Sequence, residues 1–211
     1  MPISTKPEFN TISEAAEAFK RGEFIVVLDS TDRENEGDLL IAAEDLTTEK
    51  MAFMVRYTSG LICVPLSRPL TETLSLPQMV THNTEPHQTA YTVSCDYRSP
   101  LITTGISAHD RALTCRKLAD PTSTPDDFRR PGHVFPLRAV DGGVHERRGH
   151  TEAAIEFARL TGKREAVAIC ELVKEEDGLM MRRDECLEFG KRWGLKVCTI
   201  DDLAKHLDKE K

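Results

Sequence analysis

Two short, unbroken apolar runs constrain this chain more than any other feature: Phe24-Ile25-Val26-Val27-Leu28 and Leu39-Leu40-Ile41-Ala42-Ala43. Runs of this length without polar alternation are the pattern of strands buried on both faces. Between them stands Asp32-Arg33-Glu34-Asn35-Glu36-Gly37-Asp38, with carboxylates at every second position. A loop held between rigid elements is a natural place for binding groups. If it is extended, alternate side chains point the same way, so Asp32, Glu34, Glu36 and Asp38 would share a face. Like charges that close repel unless a cation intervenes, and an oxygen donor set suits magnesium or manganese. The bland alternative is a solvated hairpin tip.

At 211 residues the chain can bury a sizeable core, and one domain spanning residues 1–211 is the expectation. A net charge of −7 gives no support to nucleic-acid or anionic-membrane binding, so an anionic substrate would need a local basic pocket. Met1-Pro2-Ile3-Ser4-Thr5-Lys6 lacks the apolar core of a secretory signal, and no apolar run approaches bilayer-spanning length. Cys63, Cys95, Cys115, Cys170, Cys186 and Cys198 are too widely spaced for a zinc knuckle and read mostly as small core residues. A reducing, cytoplasmic setting follows as the expectation.

Thr11-Ile12-Ser13-Glu14 is a capping box opening a helix that runs to about Arg21, where Gly22 ends it. Met51, Met54 and Val55 at helical spacing predict a helix over 48–57, leading into a strand at 61–64. Residues 65–90, rich in Pro and Thr, predict irregular structure with one short helix; 90–95 reads as a strand. A helix is expected from Ser107 to about Ala119, then a long Pro-, Asp- and Arg-dense connection over 120–133. Further helices at 151–160 and 184–193, strands at 166–170 and 195–200, a hairpin turn at Asp177-Gly178 and a short helix after Asp201 complete the reading. Strands and helices mix without strict alternation, which predicts a layered α/β fold with a sheet of mixed direction.

Three further segments carry chemistry. In Glu146-Arg147-Arg148-Gly149-His150-Thr151-Glu152, just before a helix, free amides and the macrodipole favour an anion. Arg147 and Arg148 add donors suited to phosphate, Thr151 can cap the helix or bind a phosphate oxygen, and His150 could share a metal with the acid loop. In Arg129-Arg130-Pro131-Gly132-His133, Pro-Gly predicts a tight turn presenting His133, which could serve as an acid or base or be a satisfied structural histidine. Glu171 ends an apolar strand, where desolvation would suit a general base. Cys63 reads first as core and, if it reaches a pocket, as a redox-sensitive thiol. The set fits a metal-dependent enzyme acting on a phosphorylated, oxygen-rich small molecule, without choosing among isomerase, aldolase, lyase and phosphatase.

These segments occur in one order, together with Thr104-Gly105-Ile106-Ser107-Ala108 and Cys170-Glu171-Leu172, and in that combination the chain resembles 3,4-dihydroxy-2-butanone 4-phosphate synthases from about residue 12 to 207. The resemblance implies conversion of D-ribulose 5-phosphate to L-3,4-dihydroxybutan-2-one 4-phosphate and formate, which supplies riboflavin biosynthesis. It implies a three-layer α/β fold with a mixed sheet and a homodimer with active sites at its interface. It also implies Mg2+ or Mn2+, two ions per site. Carried over by motif, Glu34 and His150 are the metal ligands, and His133, Glu171, Glu36 and Asp38 the catalytic groups. Substrate contacts fall on Arg33, Glu34, Asp38, Arg147, Gly149, His150, Thr151 and Glu171. Arg148 stands where relatives commonly carry a small residue. Fungal relatives carry a pocket cysteine that becomes glutathionylated, and Cys63 occupies the similar segment. A chain ending at Lys211 leaves no room for the cyclohydrolase domain fused to some relatives, so a monofunctional enzyme is expected. The competing readings are another metal-dependent sugar-phosphate isomerase or aldolase, and a non-catalytic phosphosugar sensor.

Overall fold

The two apolar runs do form adjacent strands in the interior of a sheet. In the computed structural model, which describes residues 8–209, β1 (Ile25–Leu28) and β2 (Gly37–Ala42) pair antiparallel and every residue of both is buried. Met1 to Lys6 lie outside the described residues. Five more strands follow: β3 (Cys63–Leu66), β4 (Cys95–Tyr97), β5 (Phe128–Arg138), β6 (Val167–Glu171) and β7 (Lys196–Thr199). They align in the order β4-β5-β3-β6-β2-β1-β7. Only β1–β7 and β3–β5 are parallel pairs, so the sheet is mixed, as expected.

Alternation along the strands builds a core on each face. Val26, Leu28, Leu39 and Ile41 point into one, against Met51 and Met54 of α2 (Thr48–Tyr57), Ala112 and Cys115 of α4 (Ala108–Ala119), and Phe189 of α7 (Arg183–Trp193). Ile25, Val27, Leu40 and Ala42 point into the other, against Ala15 and Phe19 of α1 (Ile12–Lys20), Ala153 and Phe157 of α6 (His150–Thr161), and Leu203 of α8 (Ile200–Lys209). This is the three-layer arrangement expected. Two short helices, α3 (Arg68–Thr73) and α5 (Gly143–Glu146), complete the set, the second without a counterpart in the sequence reading. The box at Thr11 and Glu14 caps α1, and Gly162, at φ 68°, ends α6.

Several boundaries differ from expectation. The predicted long connection over 120–133 is instead a single 3-10 turn, Pro125–Asp127, followed by the longest strand of the sheet. Pro131-Gly132 lies inside that strand rather than in a tight turn. Gly132 is required there because a methyl group on it would sit 2.1 Å from the Cys95 carbonyl carbon, where β4 crosses close to β5 with a register shift. Over 90–95, Tyr91 and Thr92 make isolated bridges only, and the strand proper begins at Cys95. The strand expected at 61–64 sits at Cys63–Leu66, and Ile200 opens the last helix instead of ending a strand. No helix among the described residues is long and apolar enough to cross a membrane.

Candidate active site

The chemistry-bearing residues meet where β2 and β6 leave the core beside the start of α6. Asp38 belongs to β2 rather than to the loop, and it lies directly across from Glu171 on β6. Cross-strand neighbours in this register share a face, so the two carboxylates enter one pocket.

The acid loop is not extended. Asp29, immediately after β1, folds it: Oδ2 accepts from Glu34 N at 3.0 Å and Arg33 Nη1 at 2.9 Å, and Oδ1 accepts from Glu36 N at 2.9 Å. Asn35 takes a left-handed conformation, φ 55°. The shared face expected of four carboxylates is therefore broken. Asp32 is exposed, and Glu36 turns toward Arg182 at 3.6 Å, outside the pocket lining. Glu34 and Asp38 alone of the four line the pocket, together with Arg33. Burial pushes the Glu36 carboxyl above its ordinary value. For Glu34, burial acts in the same direction, but His150 and Arg33 outweigh it and hold the group near 2.

His150, the first residue of α6, is buried and its Nε2 donates to the Val27 carbonyl at 3.0 Å. That bond leaves Nδ1 directed at Asp38 Oδ1, 3.6 Å away, and Glu34 Oε2, 3.7 Å away. Asp38 Oδ1 is itself buried without a hydrogen-bond partner. Burial drives the Asp38 carboxyl upward, and the surrounding carboxylates drive the His150 imidazole upward against its own burial. Donor atoms of Asp29, Glu34 and His150 lie within 4.8 Å of one another. An imidazole oriented by a backbone carbonyl, facing oxygen donors and an orphaned carboxylate oxygen, fits a divalent cation. The expected pair Glu34 and His150 is thus brought together, and Asp29 joins it. The only sequence signal for Asp29 was its place directly after an apolar strand, where an Asp side chain organises a turn.

Arg147 and Thr151 flank the opposite wall, with Gly149 as the residue capping α6. Arg147 is held by three acceptors: Glu152 Oε2 at 2.6 Å, Thr89 Oγ1 at 3.0 Å and the His87 carbonyl at 3.1 Å. Arg148 points away and pairs with Asp201 at the surface. Tyr91 and Cys63 close the floor. Cys63 is buried, which pushes its thiol well above the ordinary value, so its surroundings give no support to the expected redox reactivity. Glu171 accepts a hydrogen bond from Ser59 Oγ at 2.6 Å. His133 does not line this pocket. On β5 it donates its backbone N–H to Asp96 Oδ1 at 2.8 Å, with Nδ1 2.7 Å from Oδ2, and its ring remains partly exposed. Ser59, Thr89, Tyr91 and Asp96 carried no motif signal, because each acts through a contact far away in sequence, whereas Glu152 closes the Glu146–Glu152 segment without a role assigned to it there.

A larger surface cavity of about 530 Å3 lies between Tyr57, Met181, Phe189 and Arg192. It shares none of the acid-loop or Arg147–Thr151 residues, so the chemistry resides in the smaller, polar pocket.

Known proteins are similar to this chain over nearly its whole length. The 3,4-dihydroxy-2-butanone 4-phosphate synthase of Pyricularia oryzae is 59% identical over 214 residues, covering 97% of this chain and 92% of the relative. That of Candida albicans is 56% identical over 201 residues, covering 95% and 98%. A crystal structure of a 3,4-dihydroxy-2-butanone 4-phosphate synthase in complex with two magnesium ions superposes with a TM-score of 0.92 at 59% identity, over 95% of this chain and 98% of that one. A cation-free form of such an enzyme superposes at 0.89 with 57% identity, over 95% and 98%. The sequence profile of the 3,4-dihydroxy-2-butanone 4-phosphate synthase family matches residues 13–206, and this chain belongs to that family.

Proposed function

We propose that the protein converts D-ribulose 5-phosphate to L-3,4-dihydroxybutan-2-one 4-phosphate and formate, the four-carbon supply for riboflavin biosynthesis. The observation that carries this reading is the orphaned oxygen of Asp38 facing Nδ1 of His150, with Glu34 and Asp29 beside it and Arg147 across the pocket. Glu34 and His150, with Asp29 in support, would hold magnesium or manganese, and the relative crystallised with two magnesium ions makes two per site the natural number. When bound, the cation supplies charge stabilisation to substrate oxygens as they become anionic.

The chain's own groups divide the remaining work. Arg147, Gly149 and Thr151, at the start of α6, suit a phosphate and anchor one end of the sugar. Arg33 and Asp38 restrain the hydroxylated end. Glu171, fixed by Ser59, takes a proton next to the carbonyl to give the enediol, while Asp38, directly across from it on β2, is placed to exchange one with the substrate. Loss of water, migration of the terminal carbon, and uptake of water as C4 leaves as formate balance overall, so substrate and the two products contain the same atoms. Glu36 stands outside the pocket lining and would act only after the loop closes.

The same reading takes residues 1–211 as one synthase domain working as a homodimer. His133 is outside the pocket of its own chain, and exposed Leu101 and Ile106 lie on the segment whose Gly105 packs against it. A second copy would bring His133 to the pocket as its acid or base. Six free, buried cysteines fit a reducing compartment such as the cytoplasm.

The direct test is incubation with ribulose 5-phosphate and magnesium, with formate measured before and after chelation. Formate release that is absent, or indifferent to the chelator, sinks the reading. Carbon NMR separates it from isomerase or aldolase chemistry, because only the synthase releases C4 as formate. Mixing His133→Ala with Glu34→Gln subunits restores activity if the site is shared between copies, and leaves it absent if each chain is complete.

A further inference from the structure

Arg147 is a cation of the pocket wall, and besides Thr89, which lines the pocket, it is held by Glu152 and the His87 carbonyl, which do not. Its partner Glu152 is the third residue of α6 and has a side chain only 1% exposed. Glu152 is anchored in turn: Oε1 accepts from Val140 N at 3.2 Å while Oε2 takes Arg147 Nη1 at 2.6 Å. On its far side the guanidinium grips the segment over 83–89, through the His87 carbonyl and Thr89 Oγ1. That segment is a locked turn rather than a loose loop. Asn83 Oδ1 accepts from Glu85 N, and Glu85 accepts from the backbone N–H of His87 and of Thr89.

The fork geometry makes this specific. A guanidinium has five N–H donors, and three of them are consumed, one on each nitrogen. One N–H on each terminal nitrogen is left, a pair suited to bidentate contact with phosphate oxygens. Gly149 belongs to the same device: a methyl group there would sit 2.3 Å from Arg147 Nη1 and 3.0 Å from Glu152 Oε2, so the ion pair passes through the space a side chain would fill.

We infer that Glu152 is the positioning residue of the phosphate subsite: it holds Arg147 so that two N–H groups face the anion, and it ties the turn over 83–89 to that subsite. The inference rests on the reading of the substrate as a sugar phosphate, and its test separates the two. Inorganic phosphate is titrated with the full-length protein and followed by 31P line broadening, alongside formate release from ribulose 5-phosphate. Broadening by the parent protein reports the subsite even if no formate appears, so failure of the reaction leaves the subsite test intact.

In Glu152→Gln the shape is kept and the charge lost. The expected result is roughly a tenfold to hundredfold rise in KM and a matching loss of phosphate broadening, with kcat changed by less than about threefold. A merely structural glutamate would lower kcat and folded fraction together and leave KM in place. Glu152→Asp, which retains the charge, is expected to recover most of the phosphate broadening, and it serves as the readout should Glu152→Gln fail to fold. Unchanged phosphate broadening and KM in the folded variants, or a fall in kcat alone, overturns the assignment.

Discussion

Gly132→Ala is the perturbation whose cost the structure sets most directly. An added methyl carbon would lie 2.1 Å from the Cys95 carbonyl carbon, 2.3 Å from Asp96 N and 2.5 Å from the Cys95 oxygen. All three are backbone atoms of the adjoining strand, so no side chain can swing aside. The strands must part by about 1 Å, which overpacking studies place at ~1–3 kcal/mol. Three contacts lie in the separating pair: Gly132 N to Ser94 Oγ at 3.1 Å, and His133 to Asp96 at 2.8 and 2.7 Å. Weakening one or two of them adds about 1 kcal/mol each. The sum is roughly 2–5 kcal/mol, which for a chain of this size lowers Tm by roughly 4–20 °C. Calorimetric unfolding measures the first effect, and formate release measures the second, a loss of turnover as His133 and Asp96 separate. A Tm within about 2 °C of the parent, with turnover intact, would refute the backbone-approach argument.

Glu34→Gln and His150→Ala are expected to raise the magnesium concentration for half-maximal formate release by about tenfold or more, whereas Arg147→Ala raises KM at saturating magnesium. Equal damage from all three without a changed magnesium response contradicts that division. Asp29→Asn removes the charge from the carboxylate that accepts from Arg33, Glu34 and Glu36; roughly 1–3 kcal/mol of stability and the magnesium response should fall together in denaturant titrations. A stability loss with the magnesium response untouched would detach Asp29 from the metal site. Asp110 accepts from Thr103 N, Thr103 Oγ1 and Gly105 N; burial opposes its ionisation, but these bonds and His109 hold it near 2, below its ordinary 3.8. A folded-state value below the unfolded one stabilises fully above the unfolded value and fades as pH falls through the folded one. The stability gap between parent and Asp110→Asn should therefore be constant above about pH 5 and close toward pH 2 in thermal unfolding. A gap that stays level across that range rules the mechanism out.

Local physics made much of the fold legible. Unbroken apolar runs announced buried strands, the box at Thr11 and Glu14 announced α1, and Gly162 announced the end of α6. The reading went astray at β5, where Pro131-Gly132 resembles a turn by composition. The strand survives because tertiary contacts across 37 residues, from Asp96 to His133, override that local preference. The alternation of the acid loop likewise promised a shared face. It was undone by Asp29, whose two oxygens recruit three donors and fold the loop back on itself.

The sequence by itself determined which residue types the site contains and pointed to a cation and an anion as its ligands, because charge spacing and helix starts are local properties. Only the tertiary structure decided which carboxylates converge: Asp29, Glu34 and Asp38 inward, Asp32 and Glu36 outward. It also placed His133 outside its own pocket and joined Arg147 to His87 and Thr89. Those assignments depend on strand register and on which helix end abuts which strand. Such contacts are set by how the two cores pack against the sheet, and no window of neighbouring residues encodes them.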